Sequence, residues 1–201
     1  LSEIDFAALV PFVVITLYTP GPNNVSSAAM AAKFGMRRTW SYMYGIATGF
    51  FLLLTLCGLF SGGLMTAVPQ LEGIVKWVGA AYILWLAWGL VKEKPGGDST
   101  SKGEVARGFV KGMILQCVNG KAVVFSLTLY TVFFSSILSR LGPVLLSALV
   151  IAVVCLFSLI LWASFGAGID RFMGSSSKRR ALNYCFALML VVTAAQVAGL
   201  L

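Results

Sequence analysis

The sequence predicts an all-α membrane protein, with six transmembrane helices arranged as two inverted three-helix repeats whose first and fourth helices are broken. Three observations predict this. Of 201 residues, 59% are hydrophobic and 11% charged, and the mean hydropathy is +0.91; a soluble domain carries about 25% charged residues. Six apolar runs approach or exceed the roughly 20 residues that a bilayer requires. Two of those runs are interrupted by polar strings near residues 19–24 and 116–121, about 97 positions and thus half the chain apart.

The first run extends from about Ile4 to Ala32 and contains Thr19-Pro-Gly-Pro-Asn-Asn24. The second, Trp40 to Leu64, has no charge, and the third, Leu71 to Val91, has only Glu72 and Lys76 near its start. The fourth, Gly108 to Ser136, contains Gln116-Cys-Val-Asn-Gly-Lys121. Pro143 to Gly168 and Ala181 to Leu201 complete the set, both free of charge. The one linker-like stretch is 92–107, with Pro95, Gly96, Gly97 and Ser99. It divides a single transporter domain, residues 1–201, into a repeat of about 1–94 and a repeat of about 108–201.

Basic residues set the orientation. Lys33, Arg37 and Arg38 follow the first helix; Lys92, Lys94, Lys102, Arg107 and Lys111 surround the linker; Arg171, Lys178, Arg179 and Arg180 follow the fifth helix. Twelve of the fifteen Lys and Arg therefore fall on one side, which the positive-inside rule makes cytoplasmic, with both termini outside the cytoplasmic membrane. Glu3 and Asp5 in place of a basic leader argue that the first run is not a cleaved signal peptide.

The net charge of +8 does not indicate nucleic acid, because the cations sit in short gaps between apolar runs rather than on a solvated face. The chain has no histidine, which removes His metal sites and Ser-His or Cys-His catalysis. With no P-loop and no pair of intramembrane aspartates, the sequence predicts no enzyme, no catalytic residue and no metal site. Cys57, Cys117, Cys155 and Cys185 each lie in apolar runs, without a CxxC pair, and read as packed hydrophobes.

The breaks carry the chemistry. Pro20 and Pro22 lack the N–H groups that would close helical bonds to the Thr16 and Tyr18 carbonyls. The residue before a proline avoids the α region, so the first half-helix stops near Thr19. Gly21 is the joint, and Pro22 suits the first position of a new helix. Freed carbonyls attract an ammonium group and a helix N-terminus attracts a carboxylate; Asn23 and Asn24 add amides. A small zwitterionic substrate fits such a site, against the plainer reading of a proline kink satisfied by neighbouring helices. At the second break Lys121 is the one cation unable to reach an interface, and an intramembrane lysine faces a cavity or a partner. Gln116 and Asn119 are its polar neighbours. At ~1.5 Å rise per residue, both breaks fall within roughly 20 Å of the cytoplasmic face, near the middle of a ~30 Å core. Discontinuous helices in corresponding halves meet at substrate sites in inverted-repeat transporters.

Gly45-xxx-Gly49 and Gly108-xxx-Gly112 have the spacing of close helix contacts and read as internal packing. Trp40, Trp77 and Tyr82 read as interface or packing aromatics.

These strings, with Gly35, Gly45, Gly49 and Gly79-Ala-Ala-Tyr-Ile-Leu-Trp85, resemble the LysE/RhtB family of small amino-acid exporters from about Phe6 to Ala198. The resemblance implies export of amino acids or close derivatives, with no cofactor beyond an ion gradient, the proton being the expected ion. Two departures stand out. The family usually has Asn-Pro-Lys at the second break, where Gly120 replaces the proline; a glycine permits a break without forcing one. Many members carry an acid where this chain has Phe50, and no acidic residue lies deep in any run, so a membrane carboxylate is not the expected proton carrier. The Asn doublet and Asn-Gly-Lys look most like the cysteine and O-acetylserine exporters.

The expected partners are the lipid bilayer and the small substrate, with room for a homo-oligomer. A passive channel is the alternative reading, because polar breaks at mid-depth also form selectivity filters. An uptake carrier is another, since direction follows from gradients and coupling.

Overall fold

The computed structural model describes residues 4–92, 102–138, 140–172 and 176–200, and every regular element among them is helical. Helix α1 (Phe6–Tyr18) begins where the Asp5 carboxylate accepts from Ala8 N at 3.1 Å. Thr19 is extended, as a residue before proline must be, and α2 (Pro22–Phe34) starts with Pro22 in its first position. The two are bent by 43°. Helix α2 ends at Gly35, whose φ of +80° favours glycine.

Helix α3 (Met36–Lys92) differs from expectation. The sequence places a connection between the second and third spans near residues 65–70, but helical backbone runs through them and the break falls at Phe60, with φ −122° and ψ 23°. Glycines at 58, 62 and 63 lower the local helical preference there, which accounts for the earlier break. The limb before it, Met36–Phe60, has 25 residues, about 37 Å at helical rise and enough to cross a bilayer.

Helix α4 (Lys102–Cys117) claims the last residues of the expected linker, whose Lys94, Pro95, Gly96, Gly97 and Ser99 lie outside the described residues. Helix α5 (Gly120–Thr128) continues as a π turn at Leu129–Phe133 and a 3-10 turn at Ser135–Ile137, and α4 and α5 are bent by 61°. Helices α6 (Leu141–Phe172) and α7 (Ser176–Ala198) close the fold. Among the described residues Met36–Phe60 and Leu141–Ile169 are each long and apolar enough to cross a membrane, which makes a multi-pass membrane protein, and the count rises to four if each bent pair is one span.

Helix α6 shows which solvent the bundle meets. Leu146, Val150, Val153, Phe157, Leu161 and Phe165 form an exposed apolar stripe, while Ala148, Ala152, Cys155, Leu159 and Ala163 are buried. An apolar outside with small residues inside is how a bundle is built in lipid. Helix α2 lies at the centre, buried through Ser26, Ser27, Ala28, Ala29, Ala31 and Ala32, and packs against α3, α6 and α7. Its small side chains let Gly166 of α6 approach the Ala28 backbone.

The two glycine pairs pack on each other, as internal surfaces. A side chain at Gly45 would strike the Phe109 backbone on α4, and one at Gly112 the Tyr42 backbone on α3. A Cβ at Gly49 would lie 3.0 Å from Gln116 Cβ, so this close seam sets where Gln116 stands. The cysteine reading holds for Cys57 and Cys155, which are buried; Cys117 and Cys185 are exposed, because they fall on outward faces of α4 and α7. Of the aromatics, Trp40 stacks on Tyr44 at 5.6 Å and Tyr82 donates to the Lys111 carbonyl at 2.7 Å, whereas Trp77 is exposed.

Candidate functional site

The two breaks meet. Thr19, Gly21, Pro22, Asn23 and Asn24 line one cavity of about 40 Å³ together with Gln116, Asn119 and Lys121, leaving Pro20 as the one predicted residue outside its wall. Such a volume holds a few waters or one small polar group.

The first break is closed by side chains. Thr19 Oγ1 donates to the Thr16 carbonyl at 3.3 Å, and Trp162 Nε1 of α6 donates to the Tyr18 carbonyl at 3.1 Å. These are the two carbonyls that Pro20 and Pro22 deprive of helical partners, so the protein itself supplies the donors. Asn24 Nδ2 donates to the Leu17 and Thr19 carbonyls, both at 2.8 Å, and its Oδ1 accepts from Ser158 Oγ at 3.3 Å. The single Ser158 hydroxyl proton is shared with the Leu17 carbonyl, the nearer acceptor at 2.8 Å. The freed carbonyls, expected to attract a substrate ammonium, thus each already have a donor within the protein. Asn24 lines the cavity, but both its amide hydrogens hold the break together.

The second break needs no proline. Asn119 takes an extended conformation, φ −87° and ψ 93°, and its Oδ1 caps α5 by accepting from Ala122 N at 3.4 Å. Asparagine is a strong helix-starting residue, and it stands in for the proline that Gly120 replaces. The Asn119 carbonyl accepts from Ala122 N and Val123 N, so α5 starts in register immediately after the bend.

Three amides then join the halves. Asn119 Nδ2 donates to Asn23 Oδ1 at 3.0 Å, and Asn23 Nδ2 donates to Gln116 Oε1 at 2.9 Å. The Lys121 ammonium donates to Thr19 Oγ1 at 3.0 Å, and a Cβ at Gly21 would lie 3.4 Å from it. Gly21 is extended, with φ −166°, so its glycine serves less as a special backbone joint than as room beside Lys121. The N-termini of α2 and α5 both open at this cavity, and no side chain caps α2. The arrangement offers a cation, amide donors and two positive helix ends, which together favour a carboxylate.

Sequence reasoning missed Phe50, Phe125 and Cys155, which supply apolar wall, and Ser158 and Trp162, which hold the first break. Serine and tryptophan in a charge-free apolar run give little signal. Phe50 is 1% exposed and its ring lies 5.7 Å from the Phe125 ring. Among the described residues no group of three metal-ligating side chains comes together.

Comparison with known proteins places the sequence among translocators. Residues 14–199 match a family model described as LysE type translocator. The chain is 30% identical over 197 residues to the cysteine/O-acetylserine efflux protein of Salmonella choleraesuis, covering 98% of this chain and 99% of that protein. It is 29% identical over 191 residues to the protein of the same description in Klebsiella pneumoniae, with 95% of each chain covered. A Shigella flexneri protein of that description is 28% identical over 197 residues, 98% of this chain and 99% of its own. No solved structure matches.

Proposed function

The chain belongs to the LysE type translocators, and from that premise we propose that it exports small amino acids or close derivatives from the cytoplasm across the inner membrane. It is a transporter and not an enzyme. The substrate binds near the bilayer midplane between the two broken helices. Cysteine and O-acetylserine are the first candidates, given the efflux proteins it is similar to.

One observation carries this reading: Lys121 and the Asn119–Asn23–Gln116 amides, from strings about 97 positions apart, converge on one cavity flanked by two helix N-termini. Six spans in two inverted halves explain it. Each half opens with a broken pair, α1–α2 or α4–α5, and the halves enter from opposite faces, so their breaks meet at the same depth. The basic residues between odd and even spans put both termini outside. Lys121 and the helix ends receive the carboxylate, and an ion gradient drives exchange between inward and outward states.

The test is efflux of a labelled amino-acid panel from proteoliposomes loaded with it, with and without an imposed pH gradient. Saturable efflux of a few small polar amino acids, faster under the gradient, is expected. Rapid, non-saturating leakage of many solutes would favour a passive channel instead, and accumulation against the expected direction an uptake carrier.

A further inference from the structure

Gln116 is 1% exposed, lines the cavity, and among the described residues its Nε2 has no hydrogen-bond partner. A buried donor left unpaired costs about 1–3 kcal/mol, so it calls for a reason. A leucine would fill this position without that penalty.

The direction of the amide chain supplies the reason. Ala122 N–H donates to the Asn119 main-chain carbonyl at 2.9 Å and shares its hydrogen with Asn119 Oδ1 at 3.4 Å; as a main-chain donor that cannot turn round, it favours the oxygen of that side-chain amide, not its NH2, at the head of α5. Asn119 must then present Nδ2 to Asn23, which must accept through Oδ1 and present its own Nδ2 to Gln116. Gln116 accepts through Oε1, and its Nε2 is left as a donor at the end of the series. Exchanging oxygen and nitrogen at any one amide would set donor against donor or acceptor against acceptor. One backbone N–H thus gives a three-amide relay its polarity, and the relay ends in donor hydrogens at the cavity. Gly49 holds the position, because any side chain there would crowd Gln116.

We infer that Gln116 Nε2 is a specificity-determining donor to the substrate carboxylate, oriented by Ala122 N–H through Asn119 and Asn23. This rests on the transport reading above and deepens it: the pocket takes a carboxylate, and an amine without one is excluded. Lys121 supplies charge; Gln116 supplies direction, since a neutral amide held at its oxygen end can only donate. The series also couples the two halves, because a shift of α2 relative to α5 breaks the Asn23–Asn119 bond and releases the polarity of Gln116.

The experiment uses the full chain in proteoliposomes, with L-cysteine and its decarboxylated counterpart cysteamine, both kept reduced. In the wild type, cysteamine is expected to compete at least about tenfold more weakly than cysteine. Gln116→Glu keeps the acceptor for Asn23 but replaces the donor with a second acceptor. It should raise the KM for cysteine at least about tenfold, the loss of one hydrogen bond to a charged group, and narrow the gap between the two compounds. Gln116→Met, which keeps the volume and removes both amide atoms, should raise KM without favouring cysteamine. An unchanged KM in either folded variant, or equal competition by cysteamine in the wild type, overturns the inference while the exporter reading stands. Wild-type protein that moves no amino acid at all defeats the exporter reading itself. If neither variant assembles, Asn23→Ala, which frees Gln116 from the series, gives the same reading, and an unchanged KM for cysteine there overturns the inference.

Discussion

The Lys121 ammonium reaches across 102 positions of chain to donate to the Thr19 hydroxyl at 3.0 Å. Thr19 closes the first half-helix and Lys121 lies in the first turn of α5, so one hydrogen bond ties the two breaks. Among the described residues the hydrogen-bond partner of this ammonium is a neutral hydroxyl, which on the proposed reading leaves its charge for a substrate carboxylate. Lys121→Ala should therefore abolish saturable efflux, a loss of at least about 100-fold, while detergent-solubilised protein stays monodisperse. Lys121→Arg should keep some function, since the charge remains but the longer fork does not fit beside Gly21. An active, saturable Lys121→Ala transporter would remove Lys121 from the substrate site.

The adjacent asparagines of the first break should behave differently. Asn24 donates twice, to Leu17 and Thr19 carbonyls, and lies against Ser158, so Asn24→Ala removes the donor of the Thr19 carbonyl, leaves Leu17 with Ser158 alone, and opens a gap in the buried break. That should destabilise the fold by about 2–4 kcal/mol, seen as a lower melting temperature in detergent. Asn23 instead links Asn119 to Gln116, and Asn23→Ala should raise the KM for substrate about tenfold with a smaller thermal shift. Equal melting temperatures for the two variants would refute this division of labour.

Much of the site is legible in the sequence because prolines and an intramembrane lysine have few cheap explanations. Pro20 and Pro22 dictate a break, and Lys121 marks the partner break even without the family's proline. What closes the break was not legible. Ser158 and Trp162 lie about 140 positions from the carbonyls they serve, and only packing of α6 on α1 and α2 brings them there. Nor does sequence separate Asn23 from Asn24, because which carbonyl each amide faces depends on the bend between α1 and α2. The extent of α3 was misjudged for a related reason: an apolar run reports where lipid is, and says little about where helical hydrogen bonding stops.

The glycine pairs between α3 and α4 give a prediction with an internal control. A Cβ at Gly45 or Gly112 meets the opposite backbone, which cannot move aside without separating the helices. A Cβ at Gly108 finds Ser41 Oγ at 3.4 Å, an ordinary contact. Gly108→Ala should therefore change stability by no more than about 0.5 kcal/mol, whereas Gly45→Ala and Gly112→Ala should each cost about 1–3 kcal/mol or more. Because the same seam positions Gln116 opposite Gly49, the two damaging variants should also raise the substrate KM. Thermal unfolding of the three proteins in detergent, with efflux kinetics of the survivors, checks both parts; a stable Gly112→Ala protein would contradict the packing.

An aromatic column bears on whether the protein is a transporter or a pore. The Phe125 ring lines the cavity, Phe12 of α1 stacks on it at 5.2 Å with planes 3° apart, and Phe133 stacks on Phe12 at 5.1 Å. Phe12 lies in the half-helix that ends at the first break, and Phe125 and Phe133 follow the second break. The ring contacts therefore bring Phe12 of α1 against α5 and the π turn that follows it, on one side of the cavity. Stacked phenylalanines exclude water well, and each pair contributes about 0.5–1.5 kcal/mol beyond its buried area. A barrier on that side is what alternating access requires and what an open pore lacks. Phe12→Ala should loosen it. The expected result is substrate leakage from loaded proteoliposomes that no longer saturates and no longer needs an imposed gradient, with little change in the substrate preference set around Gln116. Tight vesicles with unchanged saturable efflux from Phe12→Ala protein would mean that the column only packs the bundle and that the barrier lies elsewhere.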